Sequence, residues 1–225
     1  MATLATLTAR AASLATDPAG LLTDTDRQDA MREALARYGA DYPVPTVIDV
    51  VADGTTVLPL TLPDGARGVL AIEAPAGLTP PSLLPPGSWQ VVTVSGTPYL
   101  ALSTAPNAGD TIRLTVALPP TIAGLDGATA TTVPAAHEAA LVSLAASRLL
   151  LRLANRFVHE QESVIAADGI DRIAKSDLAA KRARQLEDDY RRLLAGSINP
   201  QLVVLNWDLP TLSGGEFLTH DRWRR

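Results

Sequence analysis

The stretch "YPVPTVIDVVADGTTVLPLTLPDG", residues 42–65, decides how the chain is read. Before it, apolar residues recur every three or four positions. Within it they fall in short β-branched runs. Pro43 and Pro45 remove two backbone donors and bar helix through 42–46, so the period switches there from helical to extended. The runs "TVIDVVA" and "TVLPLTL" are parted by Asp-Gly and closed by Pro-Asp-Gly. Downstream, "RGVLAIEA", "SWQVVTV", "PYLALST" and "DTIRLTVAL" repeat the pattern, with Pro-Pro-Gly, Ser-Gly and Asn-Ala-Gly between them. Such tripeptides and dipeptides supply the tight turns that antiparallel strands need. The spacing predicts six strands over roughly 46–118, a small antiparallel sandwich or barrel.

On the N-terminal side, Leu4, Leu7, Ala11 and Leu14 share one helical face and predict a helix over 3–15, stopped by "TDPAG". A second helix starts near "TDTDRQ". Thr25 and Gln28 have capping-box spacing, and Asp24, Asp26 and Asp29 suit a helix N-terminus. Its buried stripe is read as Ala30, Met31, Ala34, Leu35 and Tyr38, with Gly39 just past its end. On the C-terminal side, Pro134 fits a first helical turn and opens a long helix over about 134–166. "ADGIDRIAKS" is read as a break, and a last helix runs over 176–195 to Gly196. Ala179, Ala183, Leu186, Tyr190 and Leu193 step 4-3-4-3 along it, and Arg184–Asp188 and Asp188–Arg192 have i,i+4 spacing.

The expected architecture is therefore α+β: a helical bundle of about four helices with an inserted small antiparallel β-sandwich or barrel domain and an extended C-terminal arm. The boundaries are 1–43 for the first helices, 44–125 for the β domain, 126–196 for the remaining helices and 197–225 for the arm.

Composition narrows the function. The 225 residues are 47% hydrophobic and 19% charged, a globular balance, but only 4% are aromatic, so Ala, Leu and Val must do most of the packing. Net charge is −5 and the most acidic segment, 44–132, carries −4, so no part is basic enough to grip nucleic acid by neutralising phosphates. Cysteine is absent, which excludes disulfides, thiolate zinc sites and cysteine nucleophiles and suits a cytosolic setting. The N-terminus has no early positive cluster and carries Arg10 within its apolar part, so it is not read as a signal peptide. The most apolar run, 139–154, is interrupted by Arg148 and Arg152 and is not read as a membrane span.

Motifs for chemistry are scarce. His137, His159 and His220 lack the pair spacing of a helical metal site, and "HEQE" at 159–162 with Asp168 reads as a solvated helix end. No phosphate-binding glycine loop or nucleophile elbow occurs, and Ser213 in "LSGGE" lacks the strand-turn-helix context. Glu73 is the one acid in its strand and is read as pointing outward. No catalytic residue, metal site or cofactor is expected. Arg148, Arg152 and Arg156 recur every four residues and form a stripe on an otherwise apolar helix. That stripe must face water, carboxylates, a neighbouring subunit or passing DNA.

The last stretch, "SINPQLVVLNWDLPTLSGGEFLTHDRWRR" at 197–225, holds two of the three tryptophans and one of the two phenylalanines, without helical period. Chain ends are ordinarily floppy, but they are ordinarily poor in such residues. Burying one large aromatic gains about 1.5–3 kcal/mol. The segment either folds back on its own domain or docks on another chain, as extended segments do in grooves and on sheet edges.

These features together resemble the tailed-bacteriophage head-to-tail connector (adaptor) family. The residues that carry the likeness are the paired short helices "LATLTARAASL" and "DRQDAMREALARY", the long helix from "VPAAHEAALVSLAASRLLLRLA", and "SDLAAKRARQLEDDYRRLLAG" before a terminal arm. The six-strand insert is larger than the simplest members carry. The resemblance implies a structural virion protein that does no bond chemistry. It would form a homo-oligomeric twelve-fold ring in the neck, assembled in the host cytoplasm. It implies a portal protein, identical subunits and a tail-side neck protein as partners, DNA passing through the channel without sequence-specific binding, and no membrane. Trp207, Leu209, Phe217 and Trp223 would be the arm's apolar anchors, and Arg222, Arg224 and Arg225 would pair with charges on the portal. Arg148, Arg152 and Arg156 would face a neighbouring subunit or the channel. The alternative is a binding module whose β domain recognises a carbohydrate or surface receptor through the Pro/Gly-rich loops around Trp89 and Tyr99.

Overall fold

The computed structural model describes residues 2–17, 20–159 and 167–195, without the side chains of His159 and 167–174. Among them the chain is α+β, with four α-helices and two three-stranded antiparallel sheets. In order these are α1 (Leu4–Ala15), α2 (Asp24–Asp41), β1 (Val44–Val51), β2 (Val57–Pro59), β3 (Gly68–Glu73), β4 (Trp89–Val94), β5 (Thr97–Leu102), β6 (Thr111–Leu118), a 3-10 turn (Ala135–His137), α3 (Glu138–His159) and α4 (Ala167–Leu194). They form two compact units. The helical unit comprises Met1–Val44 with the described residues from Pro119 onward, and the β unit is Pro45–Leu118.

In the helical unit α3 packs against α1, α2 and α4. This explains why its sequence is apolar on most faces: Leu141, Leu144, Ala145 and Leu149 are all buried, facing different neighbours. Alanines at 140, 145, 146 and 154 let the helices approach closely. α1 contributes Leu7, Ala11 and Ala15, while Leu14, expected on that face, is 38% exposed. α2 buries Ala30, Met31, Ala34 and Tyr38, with Leu35 half-buried against the same core.

The start of α2 is set two residues earlier than the expected Thr25–Gln28 pair. Thr23 is the N-cap and Asp26 completes the box, each side chain bonding the other's backbone N–H. Asp takes the role more often given to Glu because its short carboxylate also reaches the Thr23 hydroxyl, at 2.6 Å. Gly39 does not end the helix. It is buried within it, and the last turn closes at Tyr42, whose N–H donates to the Tyr38 carbonyl at 2.7 Å.

α4 begins at Ala167, so "ADGIDRIAKS" is helical rather than a break. One glycine inside a helix costs about 1 kcal/mol and does not by itself break it. Ala179, Ala183, Leu186 and Tyr190 face the core as the sequence indicates, but Leu194 follows them and Leu193 is 50% exposed. A straight helix of 3.6 residues per turn drifts away from a strict seven-residue repeat, which moves the buried position by one. Among the described residues the ion pairs on its outer face are Arg191–Glu187, Arg191–Asp188 and Arg192–Asp189, not the expected Arg184–Asp188 and Asp188–Arg192.

The β unit's sheets have strand orders β1-β6-β3 and β2-β5-β4, so β6 and β5 are the central strands. Along β6, Ile112, Leu114 and Val116 alternate into the core, the period of a half-buried strand. They share one apolar cluster with Ile72 of β3, Leu58 of β2 and Leu100 of β5. The β4–β5 hairpin turns through Ser95 and Gly96, with Val94 paired to Thr97. Both turn residues have positive φ, 50° and 84°, as a two-residue turn matching strand twist requires.

The β unit ends at Leu118 rather than at 125. Pro119–Val133 carries no strand, and its apolar residues Ile122, Leu125 and Val133 lie in the helical core. The Leu4 N–H donates to the Ala123 carbonyl at 3.1 Å, and the Thr131 hydroxyl donates to that of Ala2 at 2.8 Å, so this loop is fastened to the start of α1.

Candidate functional site

Three features of the helical unit gather the polar and apolar groups with the most to offer chemically. The first is the arginine stripe of α3. Arg152 reaches three carboxylates of α2: Glu33 at 2.6 Å, Asp26 at 3.4 Å and Asp29 at 3.6 Å. Arg156 pairs with Asp26 at 2.7 Å. Arg32 continues the set, with Asp29 at 2.6 Å and Asp126 at 2.8 Å. The spacing that makes a stripe on α3 thus meets an i, i+3, i+7 row of acids on α2. Asp26 does double duty: it closes the capping box and takes two guanidinium groups. The Thr23 hydroxyl that donates to it holds its carboxyl below the usual carboxylate range. The Thr23 N–H, Arg156 and Arg152 add to this, while partial burial opposes. Burial works to lower the Arg152 pKa, but Glu33, Asp29 and Asp26 outweigh it and raise it. Arg152 and Arg156 therefore spend their charge on α2 of the same chain. Arg148 is half-buried and lies with Glu33, Ala36, Leu151, Arg152 and Asn155 along a depression of about 530 Å³.

The second feature is a polar aromatic cluster that ties α4 to α2. The Tyr38 ring stacks on Tyr42 with centroids 5.7 Å apart, and His137 meets both edge-on. The Tyr38 hydroxyl and His137 Nδ1 are 2.6 Å apart. The Tyr42 hydroxyl donates to the Leu194 carbonyl at 3.1 Å, and that of Tyr190 to Asp41 Oδ2 at 2.7 Å, where Arg37 also pairs at 3.2 Å. Burial pushes the Tyr38 hydroxyl up to about 12, with Tyr42 adding to the effect. Burial, then the bond to Asp41, raises Tyr190 as well. His137 is lowered by burial. The sequence reading placed Tyr38 and Tyr190 on apolar stripes and weighed His137 only as a metal ligand. The signal it passed over is the Tyr38, Tyr42 pair at i, i+4 on one helix face.

The third feature is an apolar groove of about 370 Å³ between α1, α3 and α4. Leu14, Leu150, Leu153, Phe157, Leu178 and Ala179 line it, with Lys175 and Arg182 among its edges.

In the β unit, Trp89 is half-buried and packs on the apolar core, with its Nε1 buried without a hydrogen-bond partner. Its ring is part of the packing rather than an open platform. Glu73, read as pointing outward, has a side chain only 11% exposed. It accepts from the Gly77 N–H at 2.8 Å and lies 3.8 Å from Arg113, which also grips Asp49 through two bonds.

The arm residues Trp207, Leu209, Phe217, Arg222, Trp223, Arg224 and Arg225 lie outside the described residues, as do Glu160 and Glu162. Among the described residues no three His, Asp or Glu side chains gather as a metal site would need, and no helix is long and apolar enough to cross a membrane. No protein-family profile and no curated protein matches the chain.

Proposed function

We propose that the chain is a structural adaptor: a ring-forming head-to-tail connector subunit that docks on a portal protein through its C-terminal arm and does no bond chemistry. In this reading the helical unit is a four-helix bundle that carries the ring contacts. The β unit is an inserted small sandwich, and DNA passes through a channel the ring helps to line. Support comes from one combination. A helical unit is interrupted by a small β unit and then followed by an aromatic, non-periodic segment whose anchors Trp207, Phe217 and Trp223 need a surface to cover them. A twelve-fold ring multiplies one thin arm per subunit by avidity. Within this reading Arg152 and Arg156 stabilise the subunit, and Arg148 is the member of the stripe left to meet a neighbour or the channel.

The test is deletion of residues 199–225. The shortened chain should fold and fail to join portal-bearing heads to tails. Unchanged joining would remove the arm from the account.

A further inference from the structure

We propose that the groove between α1, α3 and α4 binds residues 202–212 of a neighbouring copy of this chain. The proposal relies on the ring reading only for the presence of that neighbour.

The groove has the properties of a seat for an extended apolar segment. Its floor is Leu150, Leu153 and Phe157, and two of its walls are leucines that a lone subunit leaves in water: Leu14 at 38% and Leu178 at 68% exposure. Leu178 stands on a helix whose other outward positions are mostly charged, so its exposure is not a general feature of that face. At about 370 Å³ the groove has room for anchor side chains. The cationic Arg182 edges it, which favours a segment carrying an acid and no base.

Residues 202–212, "LVVLNWDLPTL", meet those terms: Trp207, Leu209 and Leu212 as anchors, Asp208 as the one charge, and no Lys or Arg. A residue before proline disfavours helical backbone, so a segment with Leu209 ahead of Pro210 would lose less conformational freedom on docking extended. The terminal stretch 221–225 carries three arginines and would be repelled by the same edge. Reach permits the exchange. α4 ends at Leu194, and the linker 196–201, if extended at about 3.3 Å each, spans about 20 Å. That matches the roughly 20 Å across two packed helices. The segment 213–225 then remains to engage a further partner, as the docking reading requires.

Because the chain contains no cysteine, cross-linking can be directed cleanly. One full-length chain carries Arg182→Cys and a second, isotope-labelled chain carries Asp208→Cys. They are mixed under mild oxidation, and linked species are read by mass spectrometry. The expected product is the mixed 182–208 disulfide. Leu178→Asp in the first chain, at an exposed position, should cut its yield at least tenfold. Moving the first cysteine to Thr8, in the α1–α2 depression, should abolish it. Absence of the mixed product overturns the proposal, as does an intrachain link in the double variant without a mixed one, which would assign the groove to the chain's own segment. Negative-stain images of the same samples separate the two readings. Rings without the link sink the groove alone, and the link without rings sinks the ring alone.

Discussion

The two units use the same side chains to different effect. In the helical unit, Arg152 and Asp26 meet between helices with 26% and 15% of their side chains exposed, inside a set that also includes Asp29, Glu33 and Arg156. In the β unit, Arg113 and Asp49 meet across neighbouring strands at 40% and 45% exposure. The geometry of the second pair is the more regular, with two bonds at 2.9 and 3.1 Å. The first matters more to the fold, because Arg152 and Asp26 are less exposed, are shared among several partners and are coupled to a helix cap. Pair geometry alone does not measure what an ion pair contributes.

The largest expected effects test whether the two units are energetically separate. Leu144→Ala in α3 and Ile112→Ala in β6 each empty a fully buried site and should cost about 2–5 kcal/mol. In a calorimetric scan each should lower one transition and leave the other in place. A common shift would mean the units unfold as one.

Next comes the ion-pair comparison itself. Asp26→Ala removes the carboxylate half of the capping box and both arginine contacts and should destabilise the helical unit by about 2 kcal/mol. Asp49→Ala should leave the β unit's melting unchanged within error. Equal losses would contradict the contrast. Smaller again, Gly96→Ala forces a side chain into positive φ at the hairpin and should cost about 1 kcal/mol, seen only in the β unit's transition.

Finally, pH separates the units through His137. Burial lowers its folded pKa below the ordinary value of 6.5, so as pH falls below 6.5 the unfolded chain takes up a proton that the folded one resists. Helical-unit stability should therefore be full above pH 6.5 and decline below it. His137→Gln should flatten that decline without touching the β unit. At the alkaline end the sign reverses. Tyr38 is raised to about 12, so stability should fall as pH rises through 10 and the unfolded chain loses the proton first.

Much of this was legible in the sequence, and the misses have identifiable causes. Strand runs between Asp-Gly and Ser-Gly turns were legible because turn chemistry is local. So was the apolar character of α3, because it is surrounded. The end of the β unit was not, since Ile122 and Leu125 carry no period and only their burial in the helical core assigns them. α2's cap was misassigned because Thr23, Thr25, Asp26 and Gln28 offer two overlapping boxes, and only the fold selects between them. The arginine stripe was seen, but its partners sit more than a hundred residues away on α2, beyond the range of any local pattern.

Whether the chain is an adaptor is decided by which surface covers the aromatic side chains of its C-terminal segment. A side-chain-resolution reconstruction of the assembled neck answers this directly. Trp207 and Trp223 should each be covered by a chain other than their own. If both pack solely on their own subunit, or remain uncovered in the finished particle, the adaptor reading is wrong.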